Sequence, residues 1–203
     1  YYPDDQEEKK SITPYQHSAV PQRLADDLYR FLRGEKHLLF AGSRQKVELY
    51  ADLLRQMCDE NHVPNEFFPH HGSLSKPERE DLETRLKDDP RPTTAVATTT
   101  LELGIDIGSV ETVAQIGPGF SISSLKQRVG RSGRRHDKPA TLRIFVIERK
   151  PERGQHPLDR LNLDLIQSIA TVELLREGMC EPPSRSGLHL STLLYQVLAL
   201  VLQ

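Results

Sequence analysis

The chain has 203 residues, with 27 Lys and Arg against 29 Asp and Glu and a formal net charge of -2. That length allows one domain with a full core plus part of a second, and the charge balance excludes a chain that coats nucleic acid through bulk attraction. Two distant cysteines, Cys58 and Cys180, make neither a disulfide framework nor a thiolate metal cluster, so the chain reads as cytoplasmic, with no metal site.

The start, "YYPDDQEEKK", is polar and acidic and lacks the apolar core of a signal peptide. Beginning at Tyr1, the chain reads as a piece of a longer protein, with residues 1–36 as linker and lead-in helix. From residue 37, strand-length apolar runs alternate with helical patterns. "HLLFAG" (37–42) predicts a strand, and the spacing of Val47, Tyr50, Ala51, Leu54, Met57 and Cys58 predicts the helix after it. "EFFPHHG" (66–72) predicts a second strand. A second helix begins at Ser75, where Glu78 three residues on completes a capping-box pattern. "TTAVATT", "TVAQIG" and "TLRIFVIE" supply three more strands of β-branched character. Strands alternating with helices imply an α/β fold with a parallel sheet covered on both faces, over residues 37–150. The polar stretch "ERKPERGQHPLDR" (148–160) closes that domain, and residues 151–203 form a helical extension whose first helix ends at Gly178. The last stretch, "LHLSTLLYQVLALVLQ", is interrupted by Ser191, Thr192 and Gln196 and is shorter than the ~20 apolar residues of a spanning helix. A buried helix is expected there, and no membrane partner.

In parallel sheets, ligands bind where strands end and loops lead into helices, so the loops after Gly42, Gly72, Thr98 and Gly117 are the ones to inspect. In "ATTTLELGIDIGSV" (97–110), Thr98, Thr99 and Thr100 offer hydroxyls and N–H groups suited to a phosphate, and Gly104 lets backbone pass close to a ligand. Asp106 either accepts hydrogen bonds from ribose hydroxyls or caps its own turn. In "QRVGRSGRR" (127–135), a helix continued from Ser121 puts Arg128, Arg131 and Arg134 on one face. Cations so arranged repel one another unless an anion lies opposite, and guanidinium suits phosphate because its planar fork donates two hydrogen bonds. A solvated basic turn is the plainer alternative. His70 and His71 read as turn residues, since no cysteine or acidic partner lies at ligand spacing.

Four stretches, in order, carry a family resemblance. "LLFAGSRQKVELYADLL" is similar to motif IV of superfamily 2 helicases and "HHGSLSKPERE" to the motif that follows it. "VATTTLELGIDIG" resembles motif V and "QRVGRSGR" motif VI. The resemblance covers about residues 37–148 and points to the second RecA-like domain of such a motor. "LELGIDIG" and Gln127 look more like the large-helicase-related (Lhr) family than the DEAD-box RNA helicases, which carry Ala-Arg-Gly and His at those places. The segment beyond residue 160 resembles the junction into the winged-helix domain of that family.

The resemblance implies that Arg131 and Arg134 are arginine fingers reaching to a triphosphate on the first RecA-like domain. Gly104, Asp106, Gln127 and Arg128 would sit at the nucleotide, with Asp106 towards the ribose and Arg128 pairing with a nearby acidic group. Ser43, Arg44, Gly72, Arg79, Thr98 and Thr99 would contact the backbone of DNA or RNA. Lys76 stands where related helicases carry Gln. The chain has no G-x-x-x-x-G-K-[ST] loop and no Asp-Glu pair for Mg²⁺, so ATP and Mg²⁺ belong to the full-length parent and this chain alone is expected not to hydrolyse ATP. The alternative is a non-catalytic nucleic-acid-binding or regulatory module derived from a helicase. A dinucleotide enzyme is excluded by the absence of G-x-G-x-x-G after the first strand.

Overall fold

A computed structural model of the chain describes residues 19–102, 105–119, 121–133, 139–148, 161–181, 194, 197 and 198. Five strands, β1 (Lys36–Phe40), β2 (Phe67–His70), β3 (Thr93–Ala97), β4 (Thr112–Ile116) and β5 (Thr141–Phe145), form one sheet in the order β2-β3-β1-β4-β5. All neighbours run parallel, with Leu39 beside Val96 on one side and Ala114 on the other. Every position of β3 and β4 is buried, the pattern expected when helices cover both faces. The predicted parallel α/β fold is therefore the observed one.

The two faces bury separate cores. On one, α1 (Ala19–Phe31) and α2 (Arg44–Glu60) bring Leu24, Leu28, Val47 and Leu54 onto Leu39, Val96 and Ala114. On the other, Leu82 and Leu86 of α3 (Lys76–Asp88) and the loop residues Leu101, Ile107 and Val110 cover Leu38, Phe40 and Val113. Each fully buried leucine contributes about 1.5–3 kcal/mol of transfer free energy, so both layers are needed to stabilise the sheet. The predicted capping box forms: Ser75 Oγ accepts from the Glu78 amide and the Glu78 carboxylate accepts from the Ser75 amide at 2.9 Å.

Two expectations change. Helix α1, assigned to the lead-in segment, is part of the first core, because Leu24, Leu28 and Leu32 recur on one face at four-residue spacing. The helix that begins after Ser121, α4 (Ile122–Val129), includes Arg128 but stops before Arg131. Gly130 caps its end, and Ser132 forms a parallel bridge with Val110, so the backbone leaves the helical path. Arg128 and Arg131 therefore do not share a helical face.

The extension docks on this end of the fold. Helix α5 (Leu163–Arg176) packs on α4, and Ser168 and Thr171 are its buried residues. Gln167 donates to the Gly119 carbonyl at 3.3 Å. Glu181 accepts from the amides of Ile122 at 2.5 Å and Ser123 at 2.9 Å, and these hydrogen bonds hold its carboxyl below its ordinary pKa. No helix among the described residues is long and apolar enough to cross a membrane.

Candidate nucleotide and nucleic-acid site

The described residues among those predicted lie on the loops that leave the carboxyl edge of the sheet and on the helices that follow them. After β1, Gly42 turns the chain with φ +79°, and Ser43 starts α2 by accepting a hydrogen bond from the Lys46 amide at 3.3 Å. Ser43 and Arg44 are both exposed. Gly72 follows β2 in an exposed turn, where a Cβ would meet nothing within 4 Å. Arg79 on α3 is half-buried, and its Nε has no hydrogen-bond partner. After β3 the chain enters a 3-10 turn, Thr99–Leu101, with Thr98 half-buried and Thr99 exposed. A side-chain cap is absent at Thr98, whose amide instead donates to the His70 carbonyl at 3.2 Å.

The loop after that turn is joined to the end of α4 by two arginines. Arg128 Nε and Nη2 both donate to Glu102 Oε2, at 3.0 and 2.9 Å, and its Nη1 donates to Gln115 Oε1 at 3.0 Å. The guanidinium also lies 4.5 Å from the centre of the Phe40 ring. The acidic partner expected for Arg128 is thus present, and the pair is turned into the protein. Arg131 donates to the carbonyls of Ile105 at 2.5 Å and Glu102 at 3.0 Å, and only 9% of the residue is exposed. One guanidinium thereby holds the backbone on both sides of residues 103 and 104. Gln127, one turn back, is exposed.

Asp106 combines the turn-capping reading with a contact to solvent. Its Oδ1 accepts from the Gly108 amide at 3.3 Å and its Oδ2 lies 2.9 Å from Lys87 Nζ of α3, while 68% of the side chain is exposed. That pairing raises the Lys87 pKa. Beside it, a groove of about 590 Å³ is lined by Glu80, Glu83, Thr84, Lys87, Asp88, Ile105 and Asp106. Gly104, Arg134 and Arg135 lie outside the described residues.

Sequence reasoning missed the residues that hold this edge together. Glu102 and Gln115 anchor Arg128 across 26 and 13 positions, separations at which no local pattern announces a contact. His70 and His71, read as turn residues, are buried with acidic partners: His70 Nε2 lies 3.0 Å from Glu83 and His71 Nε2 lies 2.6 Å from Glu48. No cluster of three or more potential metal ligands occurs among the described residues.

Comparison with known families identifies the kind of domain to which this sheet and its loops belong. Residues 21–136, more than half the chain, match the helicase conserved C-terminal domain, and the chain belongs to that family. Within it, several of the similar proteins are of the Lhr type. The ATP-dependent helicase Lhr-Core of Methanothermobacter thermautotrophicus is 33% identical over 137 residues, covering 65% of this chain and 16% of that protein. The Lhr helicase/probable uracil glycosylase of Mycolicibacterium smegmatis is 48% identical over 112 residues, 55% of this chain and 6% of that protein. The structure of Mycobacterium smegmatis helicase Lhr bound to ssDNA and AMP-PNP superposes with a TM-score of 0.61 at 30% identity, over 80% of this chain and 19% of that one. The C-terminal domain of the DEAD-box protein Dbp5, at 17% identity and a TM-score of 0.52 over 79% of this chain and 78% of that one, shares the fold. The chain belongs to the helicase C-terminal domain family, is similar to helicases of the Lhr type, and spans about a sixth of the length of the Lhr-Core relative.

Proposed function

We propose that this chain is the second motor domain of an ATP-dependent nucleic-acid helicase or translocase, completing an ATP site carried by the first RecA-like domain of the same parent. The observation that carries the reading is the clamp of Arg131 on the Glu102 and Ile105 carbonyls, which makes the loop of Asp106 and the arginine stretch one unit. Within that unit Arg131 fixes the loop backbone, and Arg134 supplies the guanidinium that stabilises charge growing on the transferring phosphoryl group. Arg131 joins it as a second finger when the domains close. Bound ATP with Mg²⁺ supplies the phosphoryl group and its metal charge neutralisation. For this chain's part, Asp106 offers a carboxylate to ribose hydroxyls, Gly104 gives backbone clearance, and Gln127 and Arg128 order the adjacent helix end.

Nucleic acid lies along the other loops of the same edge. Ser43, Arg44, Gly72, Arg79, Thr98 and Thr99 meet strand phosphates, which fix position without reading sequence. DNA and RNA are both compatible with such contacts. Helicase Lhr of Mycobacterium smegmatis was solved bound to ssDNA, which favours DNA as the first ligand to try.

The test uses the full-length parent and measures ATP turnover against nucleic-acid concentration. Thr98→Ala and Arg44→Ala are expected to raise the half-saturating strand concentration, and Arg44→Ala also to flatten its salt dependence, so that its defect is largest at low salt. Arg134→Ala is expected to lower the maximal turnover with strand affinity kept. Wild-type behaviour of all three variants sinks the proposal.

A further inference from the structure

His70 ends β2, yet its ring belongs to neither hydrophobic core. Its side chain is 1% exposed and bridges two other elements: Nε2 lies 3.0 Å from Glu83 Oε1 of α3, and Nδ1 lies 2.8 Å from the Thr100 hydroxyl. The backbone carbonyl of the same residue accepts from the Thr98 amide at 3.2 Å and also lies 3.2 Å from the Thr100 hydroxyl, whose single hydrogen goes to the nearer Nδ1. One histidine therefore makes four polar contacts, and three of them go to the turn that follows β3.

The ring's proton arrangement follows from its partners. An ionised carboxylate only accepts, so Nε2 carries the hydrogen that Glu83 receives, and the neutral ring keeps a lone pair on Nδ1 for the Thr100 hydroxyl. Burial favours that neutral form and lowers the ring's pKa, and the nearby charges of Arg79 and His71 act in the same direction. The turn needs this outside support because Thr98 makes no side-chain cap at its start. A 3-10 turn has poorer hydrogen-bond geometry than an α-helix, and left alone it would sample other conformations.

We propose that His70 is a positioning residue that fixes the threonine turn after β3 so that Thr98 and Thr99 present to a nucleic-acid phosphate, with Glu83 orienting the imidazole and Thr100 transmitting its position. The inference rests on the reading of that turn as a strand contact. Arg79 of α3, the other candidate phosphate contact near this ring, has an Nε without a hydrogen-bond partner.

The experiment compares ATP turnover against single-stranded DNA concentration in the full-length parent carrying His70→Gln, His70→Asn, Thr100→Val or Thr98→Ala. Gln keeps a donor for Glu83 and loses the Thr100 contact; Asn keeps an acceptor near the Nδ1 position for Thr100 and loses Glu83. The expected result is a half-saturating DNA concentration raised about three- to tenfold by His70→Gln and Thr100→Val, the effect of one lost hydrogen bond, with maximal turnover retained. His70→Asn should stay within about twofold of wild type. The inference is overturned if Thr98→Ala weakens DNA engagement while His70→Gln and Thr100→Val do not. It is overturned equally if Gln and Asn act alike and lower maximal turnover and melting temperature together, the mark of a packing role alone. Should Thr98→Ala leave DNA engagement unchanged, the strand-contact reading fails first and the inference with it. Thr100→Val alters only one hydroxyl, so the comparison holds even where a His70 variant fails to fold.

Discussion

Arg128 and Glu102, 26 residues apart, form an ion pair in which two guanidinium nitrogens share one carboxylate oxygen, with only 7% and 11% of the two side chains exposed. The pair ties the loop after β3 to the end of α4, so the two stretches proposed to meet nucleotide move as one body. Burying two charges costs several kcal/mol per ion, a cost offset only while both partners and Gln115 remain in place.

Removing one member of that pair is accordingly expected to be costly. Arg128→Met leaves the Glu102 carboxylate buried without its cation and should lower unfolding free energy by about 3–5 kcal/mol in urea titration. Combining Arg128→Met with Glu102→Leu should recover most of the loss, because apolar side chains of similar volume need no such compensation. A single substitution that costs less than about 1 kcal/mol would mean that the pair does not organise this corner.

Gly133 is expected to resist even a methyl group. It sits at φ +69°, and a Cβ there would come within 2.5 Å of the Ala140 nitrogen and 2.6 Å of its Cα, which are backbone atoms that no rotamer change can move. The left-handed backbone alone costs about 1–2 kcal/mol for an alanine, and the overlap adds to it. Gly133→Ala should therefore lower the melting temperature clearly. Gly72→Ala, with nothing within 4 Å and no positive φ, should change stability by no more than about 0.5 kcal/mol.

Stability should also fall on mild acidification. Burial lowers the pKa of both His37 and His70 below the ordinary 6.5, and neither ring nitrogen of His37 finds a hydrogen-bond partner among the described residues. The Arg33 backbone near His37, followed by Glu111, Glu35 and Glu66, and Glu83 at His70, pull the other way without reversing the shift. As pH drops through 6.5 the unfolded chain takes up protons that the folded chain refuses, so the folded state is favoured above that pH and loses stability below it. Melting temperatures between pH 7.5 and about 5 measure this window, which lies above the range in which carboxylates such as Glu78 and Glu181 titrate. His37→Leu should flatten the decline, and an unchanged slope would contradict the assignment.

Much of the fold was legible in the sequence because the dominant signals are local. The runs "HLLF" and "TTAVA" can be continuous and apolar only where both faces are covered, and Ser75 with Glu78 marked a helix start through contacts three residues apart. What escaped was set by distance along the chain. Counting arginines at three-residue spacing implied a shared cationic face, but Gly130 ends α4 and sends Arg131 back to the carbonyls of Glu102 and Ile105. The charges of Arg128 and Arg131 are therefore separated by partners that only the tertiary structure supplies. His70 and His71 were underestimated for the same reason, since Glu83 and Glu48 come from helices 13 positions after the one and 23 before the other.

The central claim is that the arginine stretch completes an ATP site on another domain, and Arg134 tests it more directly than Arg131, whose loss also frees the loop carbonyls. Single-turnover ATP hydrolysis by the full-length parent carrying Arg134→Ala, at saturating ATP and nucleic acid, is the decisive measurement. The predicted result is a fall in the hydrolysis rate of about 10³–10⁵, the range for loss of an arginine finger, with ATP binding and melting temperature close to wild type. A rate within a few-fold of wild type in a folded, ATP-binding variant would contradict it.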